Sequence, residues 1–114
     1  MNLIKPSHEI LTKIDGQEIL ERIEKAGRTC YKSEDKISPL SSHSFVTRIL
    51  KGGHHSVIEH ENISVRFICD RGVTHEIVRH RLVAYSQEST RYCDYGKIGI
   101  KFIVPSDWEL DEDD

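Results

Sequence analysis

ENISVRFICDRGVTHEIVRHR, residues 61–81, changes its period partway along. Ile63, Val65, Phe67 and Cys69 alternate with Asn62, Ser64 and Arg66, the two-residue repeat of a half-buried strand. Asp70-Arg71-Gly72 then turns the chain, and a short helix is predicted through about Arg79. A strand passed on to a helix points to a mixed α/β or α+β domain.

The flanking sequence extends this pattern. Residues 2–14 alternate as an initial strand, interrupted at Pro6. Asp15 is placed to cap a helix over residues 16–27, with Glu18 at capping-box spacing. Ile19, Leu20, Ile23 and Ala26 share one face of it, and Gly27 is its expected end. Residues 28–40 read as a loop. Ser41 or Ser42 opens a second helix with Phe45/Ile49 and Val46/Leu50 four residues apart, closed by Gly52-Gly53. After the helix at 71–79 a polar segment reaches Tyr95, and IKFIV, residues 100–104, is the last strand before Pro105. There is no internal repeat or low-complexity linker, and 114 residues hold one modest core, so a single domain over 1–114 is expected. A strand and Trp108 with nothing following to pack on them suggest a truncated chain, with more helix expected after Asp114.

Composition narrows the class. Hydrophobic residues make up 37% and charged residues 31%, which suits a globular chain. No apolar run approaches the roughly 18 residues that span a bilayer. MNLIKPSHEI lacks the charged start and apolar run of a signal peptide, so a cytoplasmic location without membrane contact is expected. Cys30, Cys69 and Cys93 are an odd, widely spaced set, which argues against a disulfide framework and fits small half-buried thiols. The net charge of −3 argues against a nucleic-acid binder. Its distribution is uneven, because DWELDEDD, residues 107–114, is strongly acidic. Between Gly52 and Gly96, by contrast, arginine supplies every guanidinium or ammonium group: Arg66, Arg71, Arg79, Arg81 and Arg91. Arginine's planar fork grips phosphate or carboxylate through two bonds, where lysine offers a point charge. A solvated arginine-rich face is the simpler alternative.

Two histidine clusters come close to zinc motifs and miss. In HEIVRH, His75 and His80 are five residues apart, about 140° round a helix, whereas helical zinc ligands four apart stand about 40° apart. HHSVIEH carries one residue too many between His55 and Glu59-His60 for the inverted motif. A zinc-dependent hydrolase therefore ranks last among the readings, and no metal site is assigned. Helical geometry also separates Arg79 from Arg81 by about 200°. At a helix end the two can instead hold two anions, one on each side of the chain. With Ser89 and Arg91 downstream, the segment suits a phosphorylated substrate beside a phosphorylated cofactor.

Arg79-His80-Arg81, seven residues, then Ser89-x-Arg91 resembles the signature of the flavin-dependent thymidylate synthases, the ThyX family. Tyr92 follows it. Upstream, GHHSVIEHENISVRF, residues 53–67, is similar to that family's G-H-x-[ST]-x-x-E-H block leading into a strand. The resemblance runs over essentially the whole chain. The family's proteins are longer, so this chain resembles their N-terminal portion.

That resemblance implies a ThyX-like α/β fold, with helices packed on a mainly antiparallel sheet. It also implies a homotetramer whose active sites form between subunits. The implied reaction is reductive methylation of dUMP to dTMP, with FAD as cofactor, methylenetetrahydrofolate as carbon donor and NADPH as reductant. No cysteine nucleophile takes part. By position, His54, Ser56, Arg79, His80, Arg81 and Gln87 would contact FAD. Glu76, Ile77, Val78, Arg79, Gln87, Glu88, Ser89, Thr90 and Arg91 would contact dUMP. Some members carry Gln where this chain has Glu76. Catalytic residues, including an arginine that polarises the uracil ring, belong to the family's C-terminal part, and none is assigned here. The alternative is a non-catalytic FAD- or nucleotide-binding or oligomerisation fragment of that family.

Overall fold

The computed structural model describes residues 2–108. Its elements run β1 (Asn2–Ile4), β2 (Ser7–Ile10), α1 (Gly16–Tyr31), α2 (Ser41–Lys51), β3 (Val65–Ile68), α3 (Arg71–Ile77), α4 (Tyr95–Ile98) and β4 (Lys101–Ile103). Short 3-10 turns lie at Glu34–Lys36 and His55–His60. Helix and strand are mixed, as the period change at Asp70 implied. Pro6 separates β1 from β2, also as expected. The chain divides into two compact units: residues 10–65, and residues 2–9 with 66–108.

In the unit of residues 10–65, α1 starts where its cap residue predicts. The Asp15 side chain accepts from the Glu18 amide at 3.0 Å. The helix does not stop at Gly27, however, but continues to Tyr31. Gly27 is there for proximity: a Cβ at this position would lie 2.7 Å from the Phe45 ring. The true end is at Lys32, in left-handed conformation (φ 46°). The Lys32 amide donates to Thr29 and the Ser33 amide to Arg28, the two bonds of a Schellman closure made without glycine. Residues 28–31, expected as loop, are therefore helical.

α2 buries Ser42, Phe45, Val46 and Ile49 along one stripe. Leu50 stays half exposed, so the Val46/Leu50 pair is not a core pair. Gly53, at φ 74°, closes the helix: its amide donates to Leu50 and the next amide, of His54, to Ile49. Ile23, Phe45, Val46 and Ile49 form the core, and Ile19, Leu20, Val57 and Ile58 pack against it. Two charges are buried with it. Glu24 accepts from Arg28 Nε at 3.1 Å and Nη2 at 2.9 Å, and its other oxygen accepts from Ser41 Oγ at 2.9 Å. Arg28 also lies 4.5 Å over the Phe45 ring, so neither charge is left unpaired. Arg22 grips Glu61 through two 2.7 Å bonds, tying α1 to the end of the second 3-10 turn.

The strands differ from expectation in two ways. The sheet is not mainly antiparallel throughout, because β1 and β4 pair in parallel with Ile4 opposite Ile103. β2 pairs separately with β3. There the bond from the Leu11 amide to Ser64 and the Glu9–Arg66 ion pair set an antiparallel order. Secondly, β3 covers only Val65–Ile68 of the predicted 61–69. The Glu61 amide is used to end the 3-10 turn, and the Ser64 amide goes to Thr12 Oγ1. Phe67 is 55% exposed, so the alternation read there does not bury a continuous face. In the unit of residues 2–9 and 66–108 the buried hydrophobic residue is Val104, whose amide donates to Ile4 beside the β1–β4 ladder.

Candidate functional site

The expected site residues fall into two segments, one in each unit. In the unit of residues 10–65, His54 follows the left-handed Gly53 and opens the 3-10 turn that carries Ser56. The closure bond from the His54 amide to Ile49 fixes its backbone. A Cβ on Gly52 would meet the imidazole at 2.8 Å, so glycine there leaves room for the ring. Both His54 and Ser56 face solvent.

The other segment begins at α3, which Asp70 caps by accepting from the Val73 amide at 3.1 Å. α3 ends at Ile77, two residues before the predicted Arg79, and a turn follows. The helix closes in a tightened coil: the Arg79 amide donates to Glu76 and the His80 amide to Ile77. Arg79, His80 and Arg81 therefore all lie beyond the helix. The angle that would separate them on a helical face does not apply. His75 lies inside α3 and His80 outside it, and among the described residues no three His, Cys, Asp or Glu side chains are grouped to hold a metal.

Leu82 reverses the chain in left-handed conformation, φ 61°, which is rare for a residue with a branched side chain. Two contacts return the irregular segment after it to the end of α3. The Tyr85 hydroxyl lies 2.7 Å from the Ile77 carbonyl and 2.9 Å from that of His80, and Gln87 Nε2 donates to Thr74 Oγ1 at 3.2 Å. A tight turn follows, in which the Tyr92 and Cys93 amides donate to the Ser89 carbonyl and the Arg91 amide to Ser89 Oγ. The Arg91 guanidinium lies 5.7 Å over the Tyr92 ring. Glu88 accepts from the Tyr95 hydroxyl at 3.0 Å, and this bond, with some burial, pushes the Tyr95 phenol up. The one-turn helix α4, which the sequence reading left as polar coil at Tyr95, is capped by Asp94.

The structure thus places Glu76, Ile77, Val78, Arg79, His80, Arg81, Gln87, Glu88, Ser89, Thr90 and Arg91 on one continuous stretch. Ile77 and Ser89 are half-buried and the rest exposed. Among the described residues Arg79, Arg81 and Arg91 have no ion-pair partner, nor do Arg48 and Arg71, whereas Arg22, Arg28 and Arg66 each hold a carboxylate. Three exposed forks with no internal anion are suited to an external one. Cys69, which precedes α3, is a poor nucleophile, since burial and then Asp70 push its thiol up. Ser89 Oγ accepts from a backbone amide and has no base as a partner among the described residues, which favours a ligand role over nucleophilic attack. A shallow hollow of about 460 Å³ along α2 is lined by His43, Ser44, Thr47, Arg48 and Lys51, none of them an expected site residue. Sequence reasoning missed Tyr85 and Thr74. Their contacts depend on the reversal at Leu82, which leaves no trace in residue spacing.

Comparison with known proteins now bears on this stretch. The family model described as thymidylate synthase complementing protein matches residues 11–114. A flavin-dependent thymidylate synthase of Mycobacterium leprae is 35% identical over 114 residues, covering 97% of this chain and 43% of the relative. The Corynebacterium glutamicum protein of the same name is 38% identical over 106 residues, covering 90% and 40%. That of Mycolicibacterium vanbaalenii is 43% identical over 84 residues, covering 71% and 33%. The chain therefore spans less than half the length of these relatives. No solved structure gives a significant match. The family match takes in both the His54 turn and the arginine stretch, and this chain belongs to the thymidylate synthase complementing protein family, that of the flavin-dependent thymidylate synthases, as a counterpart of their N-terminal portion.

Proposed function

We propose that the chain is the N-terminal portion of a single ThyX-like domain that binds FAD and dUMP for the reductive methylation of dUMP to dTMP. Methylenetetrahydrofolate is the carbon donor and NADPH the reductant. The observation that carries this reading is the set of three exposed arginines, Arg79, Arg81 and Arg91, on one stretch and without carboxylate partners among the described residues. The donors fit a phosphorylated flavin and a nucleotide monophosphate: guanidinium forks for the anions, and hydroxyl and amide groups for the rings and sugars. His54, Ser56, Arg79, His80, Arg81 and Gln87 would hold FAD. Glu76, Ile77, Val78, Arg79, Gln87, Glu88, Ser89, Thr90 and Arg91 would hold dUMP.

When bound and reduced, FAD supplies hydride; this chain's residues bind and orient. Gln87 has committed Nε2 to Thr74, so Oε1 is the atom it presents as an acceptor. Ser89 Oγ accepts from the Arg91 amide and keeps its own proton to donate to a phosphate oxygen. Arg91 offers its fork from the Ser89 turn, and Arg81 from the α3 exit. The two sit in different local structures, so they need not face the same anion. No catalytic residue is assigned to this chain. A homotetramer in the cytoplasm is part of the proposal. Among the described residues no helix is long and apolar enough to cross a membrane.

One further reading has an observation behind it. The chain covers 33–43% of the three relatives above, which favours a non-catalytic FAD- or nucleotide-binding or oligomerisation fragment as the alternative. Purified chain is to be incubated with FAD, desalted, and treated with NADPH, dUMP and methylenetetrahydrofolate. Retained flavin absorbance and its bleaching by NADPH are expected. Retained flavin that NADPH does not bleach would select the fragment reading. A colourless protein with no affinity for FAD would overturn both flavin-binding readings.

A further inference from the structure

The stretch that carries the arginines has little packing of its own to hold it. Arg79, His80 and Arg81 lie beyond the last turn of α3, and the residues from Val83 to Ser89 form no regular element. A ligand site on such a segment needs its backbone fixed by something other than a helix or ladder. The structure supplies two devices. Leu82, at φ 61°, sends the chain back on itself. Tyr85 then brings its hydroxyl within 2.7 Å of the Ile77 carbonyl and 2.9 Å of the His80 carbonyl. The Ile77 carbonyl ends α3 and also accepts from the His80 amide, while the His80 carbonyl lies beyond the helix, where intrahelical donors have run out. One phenolic proton is shared between them, which draws the two ends of the Ile77–His80 turn onto a single atom.

We infer that Tyr85 is a positioning residue, a latch that holds the turn bearing Arg79 and His80 in the conformation that receives the flavin. Its binding role rests on the FAD reading above. The latch acts on backbone and not on ligand, and Leu82 is the hinge that lets it close. Leu82 contributes through conformation alone, because its side chain is 94% exposed and packs against nothing that would be lost on truncation. A left-handed backbone costs glycine nothing and is worst for a β-branched side chain. Substitutions at residue 82 therefore sort by backbone preference and not by size. Gln87, bonded to Thr74, extends the same return by two residues and brings the dUMP-facing turn with it.

The test compares Tyr85→Phe, Leu82→Gly and Leu82→Val with the wild-type chain. Each is measured by amide hydrogen exchange, by thermal unfolding and by FAD titration. In Tyr85→Phe, exchange at the Arg79 and His80 amides is expected to rise by about three- to tenfold, the equilibrium equivalent of one neutral hydrogen bond. Exchange in α1 and α2 and the midpoint of thermal unfolding should stay at wild-type values. FAD affinity should weaken by a similar factor. Leu82→Gly should match wild type in both readouts, and Leu82→Val should follow Tyr85→Phe. Unchanged exchange at Arg79 and His80 in Tyr85→Phe would overturn the latch. So would faster exchange across the whole chain with a lowered midpoint, which marks a general structural role. Local loosening with FAD affinity intact would overturn the positioning role. If the wild-type chain has no affinity for FAD, the flavin reading fails by itself, and the exchange data still decide whether Tyr85 holds the turn.

Discussion

The two units keep their order by different means. Residues 10–65 bury Ile23, Phe45, Val46 and Ile49 against one another and enclose a Glu24–Arg28 pair with every charge satisfied. In residues 2–9 and 66–108 the buried hydrophobic residue is Val104, while Phe67, Leu82, Val83, Tyr92 and Phe102 remain substantially exposed. Beyond the β1–β4 ladder, the second unit is held by single polar contacts: Asp70 and Asp94 caps, the Tyr85 hydroxyl bonds, and the Gln87–Thr74 and Tyr95–Glu88 bonds. That unit also carries all but two of the residues assigned to ligands. The difference separates stability from recognition. One region can lose a methyl group only at a cost to folding, whereas the other can lose a charge with little effect except on what it binds.

The largest effect should come from Phe45→Ala. It removes a ring that is 3% exposed, the packing against Gly27 and the stacking of Arg28. A loss of about 3–5 kcal/mol is expected, measured by urea unfolding followed by circular dichroism. A loss below about 1 kcal/mol would show that the helical core is not the stable part of the molecule.

Arg91→Lys probes the other region. It keeps the charge and loses the fork, so dUMP affinity should fall by about one to two orders of magnitude, the equivalent of about 1.5–3 kcal/mol. Stability should remain within about 0.5 kcal/mol of wild type. Arg81→Lys is expected to reduce FAD retention first and leave nucleotide affinity nearly intact in FAD-saturated protein. Titration of both variants with both ligands decides between the assignments. Equal losses of both ligands in both variants would mean that the arginines hold the fold and the comparison fails.

Gly27→Ala is smaller, and its sign is the informative part. Alanine favours a helix over glycine by about 1 kcal/mol, but its methyl would meet Phe45 at 2.7 Å and Val57 at 3.1 Å. Overpacking of this kind costs about 1–3 kcal/mol, so a net loss of up to about 2 kcal/mol is expected on urea unfolding. A gain in stability would mean that the Phe45 ring yields and that close approach does not require glycine at position 27.

The smallest effect is one of pH. Two bonds from Arg22 hold the Glu61 carboxyl below its ordinary range. A depressed folded-state value means that the contribution is present above the unfolded carboxylate value of about 4.3 and lost as pH falls through the folded one. The urea midpoint should therefore fall on acidification below about pH 4.3. Glu61→Gln should flatten that dependence without altering FAD binding. An unchanged acid profile in the variant would mean that the pair adds nothing to folding.

Local signals in the sequence were legible because their causes lie within a few residues. Asp15 and Asp70 cap helices, Pro6 interrupts the first strand, and Gly53 ends α2, each by a bond or dihedral settled inside one turn. The proposal for the arginine stretch also rests on a local property, since a guanidinium fork suits phosphate wherever the fold places it. Family membership was suggested by the resemblance at Arg79-His80-Arg81 and Ser89-x-Arg91 and is shown by the family model and the relatives. Tertiary structure decided what depends on residues distant in sequence. Gly27 read as a terminator until Phe45 occupied the space beside it, and the parallel pairing of β1 with β4 joins opposite ends of the described chain. Leu82 and Lys32 adopt left-handed backbones that their own side chains disfavour, so no local preference announces them. The surrounding contacts impose those conformations: the Schellman bonds at Lys32 and the Tyr85 latch beyond Leu82. A one-dimensional pattern reports preferences of single residues, and these features exist only where several distant groups outweigh one of them.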